Sequence, residues 1–85
     1  MRYEVFSIFD LKSALYSQPF FVANQAVAVR SFSDLVSDPG SQLHKHPGDY
    51  ELRGVGVWDD ASGELISVNP VPILSAAAVM SIKGA

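Results

Sequence analysis

An 85-residue chain with a net charge of −3 and no cysteine makes one small domain with a modest core. The missing cysteine excludes disulfides, thiolate metal sites and cysteine nucleophiles. The negative charge argues against a dominant phosphate-binding surface, though not against a local basic patch. No apolar run approaches the roughly 20 residues of a membrane span, and the N-terminus lacks the long apolar region and cleavage site of a signal peptide. The expectation is a single domain over residues 1–85, placed in the cytosol and away from membranes.

Residues 3–9 read as a first strand. Tyr3, Val5 and Phe9 point one way, Phe6 and Ile8 the other, so both faces are apolar, as in a strand covered on both sides. A short connector at 10–17, with room for a helical turn, leads to a second strand at 16–23, antiparallel to the first. Pro19 cannot donate to a ladder, so this strand begins there or lies at an edge. Asn24 is then a helix N-cap. Ala28, Phe32, Leu35 and Val36 fall at i, i+4, i+7 and i+8, one apolar face against which the strands can pack. Asp38-Pro39-Gly40 stops the helix, because proline disfavours helical backbone before it and glycine tolerates a left-handed cap.

A polar loop at 39–48 follows, and residues 50–59 read as a third strand. Gly54 and Gly56 inside it suggest a bulge or the close approach of another backbone. Asp60-Ala61-Ser62-Gly63 fits a type I turn with Asp first and Gly fourth, and residues 64–68 return as a fourth strand. Asn69-Pro70-Val71-Pro72 breaks that strand. In the tail at 73–82, Ile73, Ala77 and Met80 share a helical face. The fold class is α+β: a small antiparallel sheet with one main helix, ordered ββαββ, and a short C-terminal helical or irregular segment.

The chemistry-bearing residues form no recognised constellation. His44 and His46 could be a metal pair with Asp49, but a zinc site wants three or four protein ligands and there is no further histidine. A solvated loop is the simpler reading, and no metal and no cofactor are expected. Asp59, Asp60 and Glu64 cluster at the hairpin turn, where they read as a charged turn that caps itself and resists edge association rather than a cation or acid–base site. No serine lies in a nucleophile elbow. The Gly54-Val55-Gly56 segment lacks the third glycine and the following helix of a phosphate loop. No enzymatic activity is expected. Aromatic residues are numerous, and one exposed on a sheet could stack an unpaired base. Lys12, Arg30, Lys45 and Arg53 are the basic residues that could flank such a surface, and they are the candidate nucleic-acid-binding set.

Five segments resemble, in order, the small nonstructural protein VP5 of gokushoviruses, single-stranded DNA phages of the Microviridae. They are Phe6-Ser7-Ile8-Phe9-Asp10, Gln18-Pro19-Phe20-Phe21, Arg30-Ser31-Phe32-Ser33-Asp34, His46-Pro47-Gly48-Asp49-Tyr50, and Asp59-Asp60 ahead of Gly63. The resemblance spans about the first two-thirds of the chain. It implies a nonstructural phage protein, outside the mature capsid, that acts in the host cytoplasm during genome replication or the switch to single-strand synthesis and packaging. It supplies no catalytic residues. The Arg53-Gly54-Val55-Gly56 segment departs from the family pattern by its glycines. Two classes of function stay open: binding of single-stranded DNA or of phage or host replication proteins, and an oligomeric interaction module without DNA affinity. One helix cannot cover both faces of a four-stranded sheet, so either the C-terminal segment covers the remaining apolar face or a second subunit does, and a homodimer or higher oligomer is expected.

Overall fold

In the computed structural model, which describes residues 1–83, the first strand, β1 (Arg2–Asp10), is central to an antiparallel sheet. On one side it pairs with two short strands, β2 (Leu15–Tyr16) and β3 (Phe20–Val22). On the other side it pairs along its whole length with β4 (Tyr50–Asp59), which in turn pairs with the edge strand β5 (Glu64–Ser75). Helix α1 (Gln25–Ser37), a one-turn helix α2 (Gln42–Lys45) and a C-terminal helix α3 (Ala76–Lys83) complete an α+β fold.

The expected second strand is split. Phe9 pairs with Tyr16 but Phe6 pairs with Phe20, a one-residue slip around Ser17-Gln18-Pro19. Ser17 makes the slip tolerable: its Oγ accepts the Ile8 N–H at 2.9 Å, and its own N–H donates to the Ile8 carbonyl at 2.8 Å. The buried Ser7 hydroxyl donates to the Ser17 carbonyl at 2.8 Å, so the irregular segment leaves no orphaned polar group there.

Asn24 caps α1 as its chemistry predicts, Oδ1 accepting from the Val27 N–H at 3.1 Å. Ala28, Phe32 and Val36 are fully enclosed, but Leu35 is 41 % exposed. The contact face is rotated towards Val29, which packs on the core, and this leaves Leu35 on the open flank. Asp38 takes the extended conformation required before Pro39. Gly40 needs no left-handed backbone, since its N–H is simply held by Asp38 Oδ1. The expected polar loop folds into α2, capped by Ser41, whose Oγ accepts from the His44 N–H and donates to the Leu35 carbonyl.

β4 keeps its predicted limits, and its glycines account for two irregularities. Val5 faces Gly56 while the adjacent Phe6 faces Gly54, so Val55 is an extra, bulged residue. A Cβ on Gly56 would stand 2.6 Å from the Ile66 carbonyl oxygen of β5, which only glycine permits. The turn opens on Asp59 rather than Asp60: Asp59 accepts the Ala61 N–H on Oδ1 and the Gly63 N–H on its carbonyl, with Gly63 at φ +73°. β5 then runs through Pro70 and Pro72 to Ser75 instead of ending at 68. Prolines survive because β5 is an edge, and two register shifts accommodate them. Ser75 caps α3 through Ala78 N–H. The buried face of α3 is Ala76 and Val79, with Met80 partly covered; Ala77 points outward, and Ile73 belongs to the strand.

The core therefore lies on one face of the sheet, where Phe6 and Leu52 meet Ala28, Phe32 and Val36 of α1 and Ala76 and Val79 of α3. Phe32→Ala is expected to destabilise the domain by about 3–5 kcal/mol, read as a lower midpoint in denaturant with an unchanged slope. Gly56→Ala forces backbone against backbone and is expected to cost about 1–3 kcal/mol, whereas Gly48→Ala, with nothing near its Cβ, should unfold like the parent.

Candidate functional site

Strand alternation turns Tyr3, Val5, Phe9, Phe21, Arg53, Trp58 and Leu65 away from the helices. Tyr3 lies directly opposite Trp58, Trp58 opposite Leu65, and Val5 opposite Phe21, and residues opposite one another share a face. Four strands thus contribute to an open apolar groove of about 310 Å³ lined by Tyr3, Phe21, Trp58 and Leu65. The Phe21 and Trp58 rings meet edge to face, centroids 6.2 Å apart at 81°, a favoured aromatic geometry. Phe21 is 47 % and Leu65 59 % exposed.

The hairpin turn beyond the groove carries acidic groups, but strand alternation turns Asp59 and Glu64 to the face opposite Trp58 and Leu65. Asp59 stands opposite Arg2 and opposite Glu64 in its two ladders, and Asp60 Oδ1 accepts the Met1 ammonium at 2.6 Å. The Ala61 N–H, with Ser62 and nearby positive charge helping, holds the Asp59 carboxyl below its usual range. The Met1 ammonium is correspondingly raised, first by its hydrogen bond to Asp60. The turn does cap itself through these contacts.

At the other end of the same face Arg53 is enclosed by its neighbours. Its guanidinium lies 4.0 Å above the Phe9 ring centroid and 5.7 Å from that of Tyr16. Nε donates to Glu51 Oε1 at 2.6 Å, and Nη1 donates to the Tyr16 hydroxyl at 2.7 Å. The hydrogen bond to Glu51 is the main reason its pKa is raised. Arg53 thus fastens the short β2 edge to β4, and its charge is matched inside the protein.

The four basic candidates do not converge. Arg30 is exposed on α1, in the layer opposite Arg53. Lys12 sits in the turn after β1 and Lys45 at the end of α2. These two elements share one end of the sheet, where the Leu11 N–H donates to the Asp49 carbonyl at 2.8 Å. The histidines separate in role as well. His44 Nδ1 lies 2.9 Å from the Val36 carbonyl; a carbonyl only accepts, so Nδ1 carries the proton, and the ring ties α2 to the end of α1. His46 is exposed. Among the described residues no group of three or more His, Asp or Glu is placed to hold a metal ion, and no helix is long and apolar enough to cross a membrane.

The groove is the feature that the linear sequence hides. Its four residues are contributed by four strands and become neighbours only through register. The available signal was the period-two alternation of Tyr3 and Val5, of Phe20 and Phe21, and of Val57 and Trp58.

Neither a curated protein nor a solved structure matches the chain. A family model described as Phage ORF5 protein matches residues 3–79, nearly the whole chain. The chain therefore belongs to the Phage ORF5 protein family and is a phage protein.

Proposed function

We propose that this member of the Phage ORF5 protein family is a nonstructural protein of the gokushovirus VP5 type, acting in the host cytoplasm during replication or packaging of a single-stranded DNA genome. It works by docking a replication protein on its open sheet face, without catalysis of its own and outside the mature capsid. The ordered sequence resemblance supports the setting. The observation that carries the mode of action is the groove of Tyr3, Phe21, Trp58 and Leu65, an apolar, aromatic surface on the sheet face that the helices leave uncovered. Aromatic anchors in a shallow apolar setting are what protein interfaces use most. The net charge of −3 disfavours a phosphate backbone, and the lining carries no charged side chain.

Direct binding of single-stranded DNA is the second reading, favoured by rings open to stacking and by Lys12 and Lys45 at one end of the sheet. Trp58 is the only tryptophan, so its emission reports the groove alone. Titration with a labelled single-stranded oligonucleotide at low salt is expected to leave both anisotropy and Trp58 emission unchanged. A salt-sensitive rise in anisotropy with quenching of Trp58 would transfer the function to DNA. A photo-crosslinking residue in place of Leu65, activated during infection, should join the protein to a replication protein; crosslinks to coat protein alone would contradict the nonstructural placement.

A further inference from the structure

The outer edge of β5 carries a second surface, separate from whatever the groove docks. We infer that two copies of the chain pair antiparallel along residues 64–68 of β5, about a two-fold axis at Ile66, to make one continuous sheet.

The edge is guarded unevenly. From 69 to 74 it holds Pro70 and Pro72 and two register shifts, devices that stop strand addition. From 64 to 68 pairing to β4 is regular through Glu64, Leu65, Ile66 and Ser67, with no proline and no basic residue. Leu65, Ile66 and Val68 are all exposed there, Val68 at 47 %. Protection of one half and not the other marks the open half as a place where a strand is received.

Backbone direction fixes the register. The Ile66 carbonyl is turned towards β4, since its oxygen would stand 2.6 Å from a Cβ on Gly56. Carbonyls alternate along a strand, so those of Leu65 and Ser67 face outward. Antiparallel pairing about Ile66 sets Leu65 against Ser67 of the second copy, and the reverse. Each of these pairs can exchange N–H and C=O in both directions, while Ile66 meets its own copy at the close, non-hydrogen-bonded position where side chains pack best.

Charge selects a second copy in this orientation. The only charge on the segment is Glu64. Antiparallel pairing places each Glu64 opposite Val68 and parts the two carboxylates by about 13 Å along the strand, beyond the screening length of about 8 Å. Parallel stacking would align them. The strand offers no positive group to a foreign acidic peptide and too few carboxylates to hold a basic one. The pairing also sets Leu65 of each copy on the groove side, so the two grooves lie on one face of a single sheet.

The interface is small, so dimerisation is expected to be concentration-dependent between about 1 μM and 1 mM. Sedimentation equilibrium should show the mass rising from one chain to two over that range, and Leu65 and Ser67 amides should become protected from hydrogen exchange in the same range. Ile66→Arg and Ile66→Glu, each checked by circular dichroism, should each stay monomeric, and mixing them should restore a dimer. A wild-type chain monomeric to about 1 mM, a dimer without protection at Leu65 and Ser67, or a dimer that survives both charge substitutions would overturn the proposal. The exchange arm uses the unaltered chain, so it decides even if the variants misfold.

Discussion

The structure depends on the seating of Phe32 between α1 and the sheet. Phe32 is fully enclosed, and around it Phe6, Leu52, Ala28, Val36, Ala76 and Val79 form the buried cluster. A chain of this length has helix enough for one layer only. Once α1 and α3 are spent on the Phe6 and Leu52 face, the opposite face of the same strands has no helical cover, and only its own side chains close over Val5 and Ser7. Its aromatic residues then stay partly in water, and the groove at Trp58 and the cage around Arg53 follow from that single limit.

The two ends of the open face solve their exposure differently. At Arg53 the sheet covers itself: a guanidinium lies on Phe9, is neutralised by Glu51, and pins Tyr16. A cation over an aromatic ring is favourable, more so when water is excluded. At Trp58, among the described residues, no cation stacks on the rings and no charged side chain lines the groove. One end is therefore structural, and the other is the open surface on which docking is proposed.

Much of the fold could be read directly from local chemistry. The Asn24 cap, the stop before Pro39, the limits of β4 and the irregularity at Gly54 and Gly56 each depend on residues close in sequence, and each was found where expected. The misreadings share a different cause. Pro70 and Pro72 break a central strand but not an edge strand, and edge status is set by the whole sheet. Leu35 fits the helical period, yet the helix is rotated towards Val29 by the way it meets its neighbours. Ala77 fails in the same way, because α3 begins only after the strand has carried Ile73 into the core. Of the candidate site, the residue types were visible and their grouping was not. Arg53 reads as a free cation until the strand sets Glu51 on its own face and pairing brings Phe9 and Tyr16 to it, and Tyr3, Phe21, Trp58 and Leu65 are far apart until four strands align.

The central claim is that the face around Trp58 is open in the free protein. Acrylamide quenching of the single tryptophan in dilute solution tests it most directly. The account predicts a red-shifted emission quenched at a rate close to that of a partly exposed indole, with a fall in quenching when a partner is bound. A blue-shifted emission that resists acrylamide in the isolated chain would contradict it, because Trp58 would then belong to a closed core.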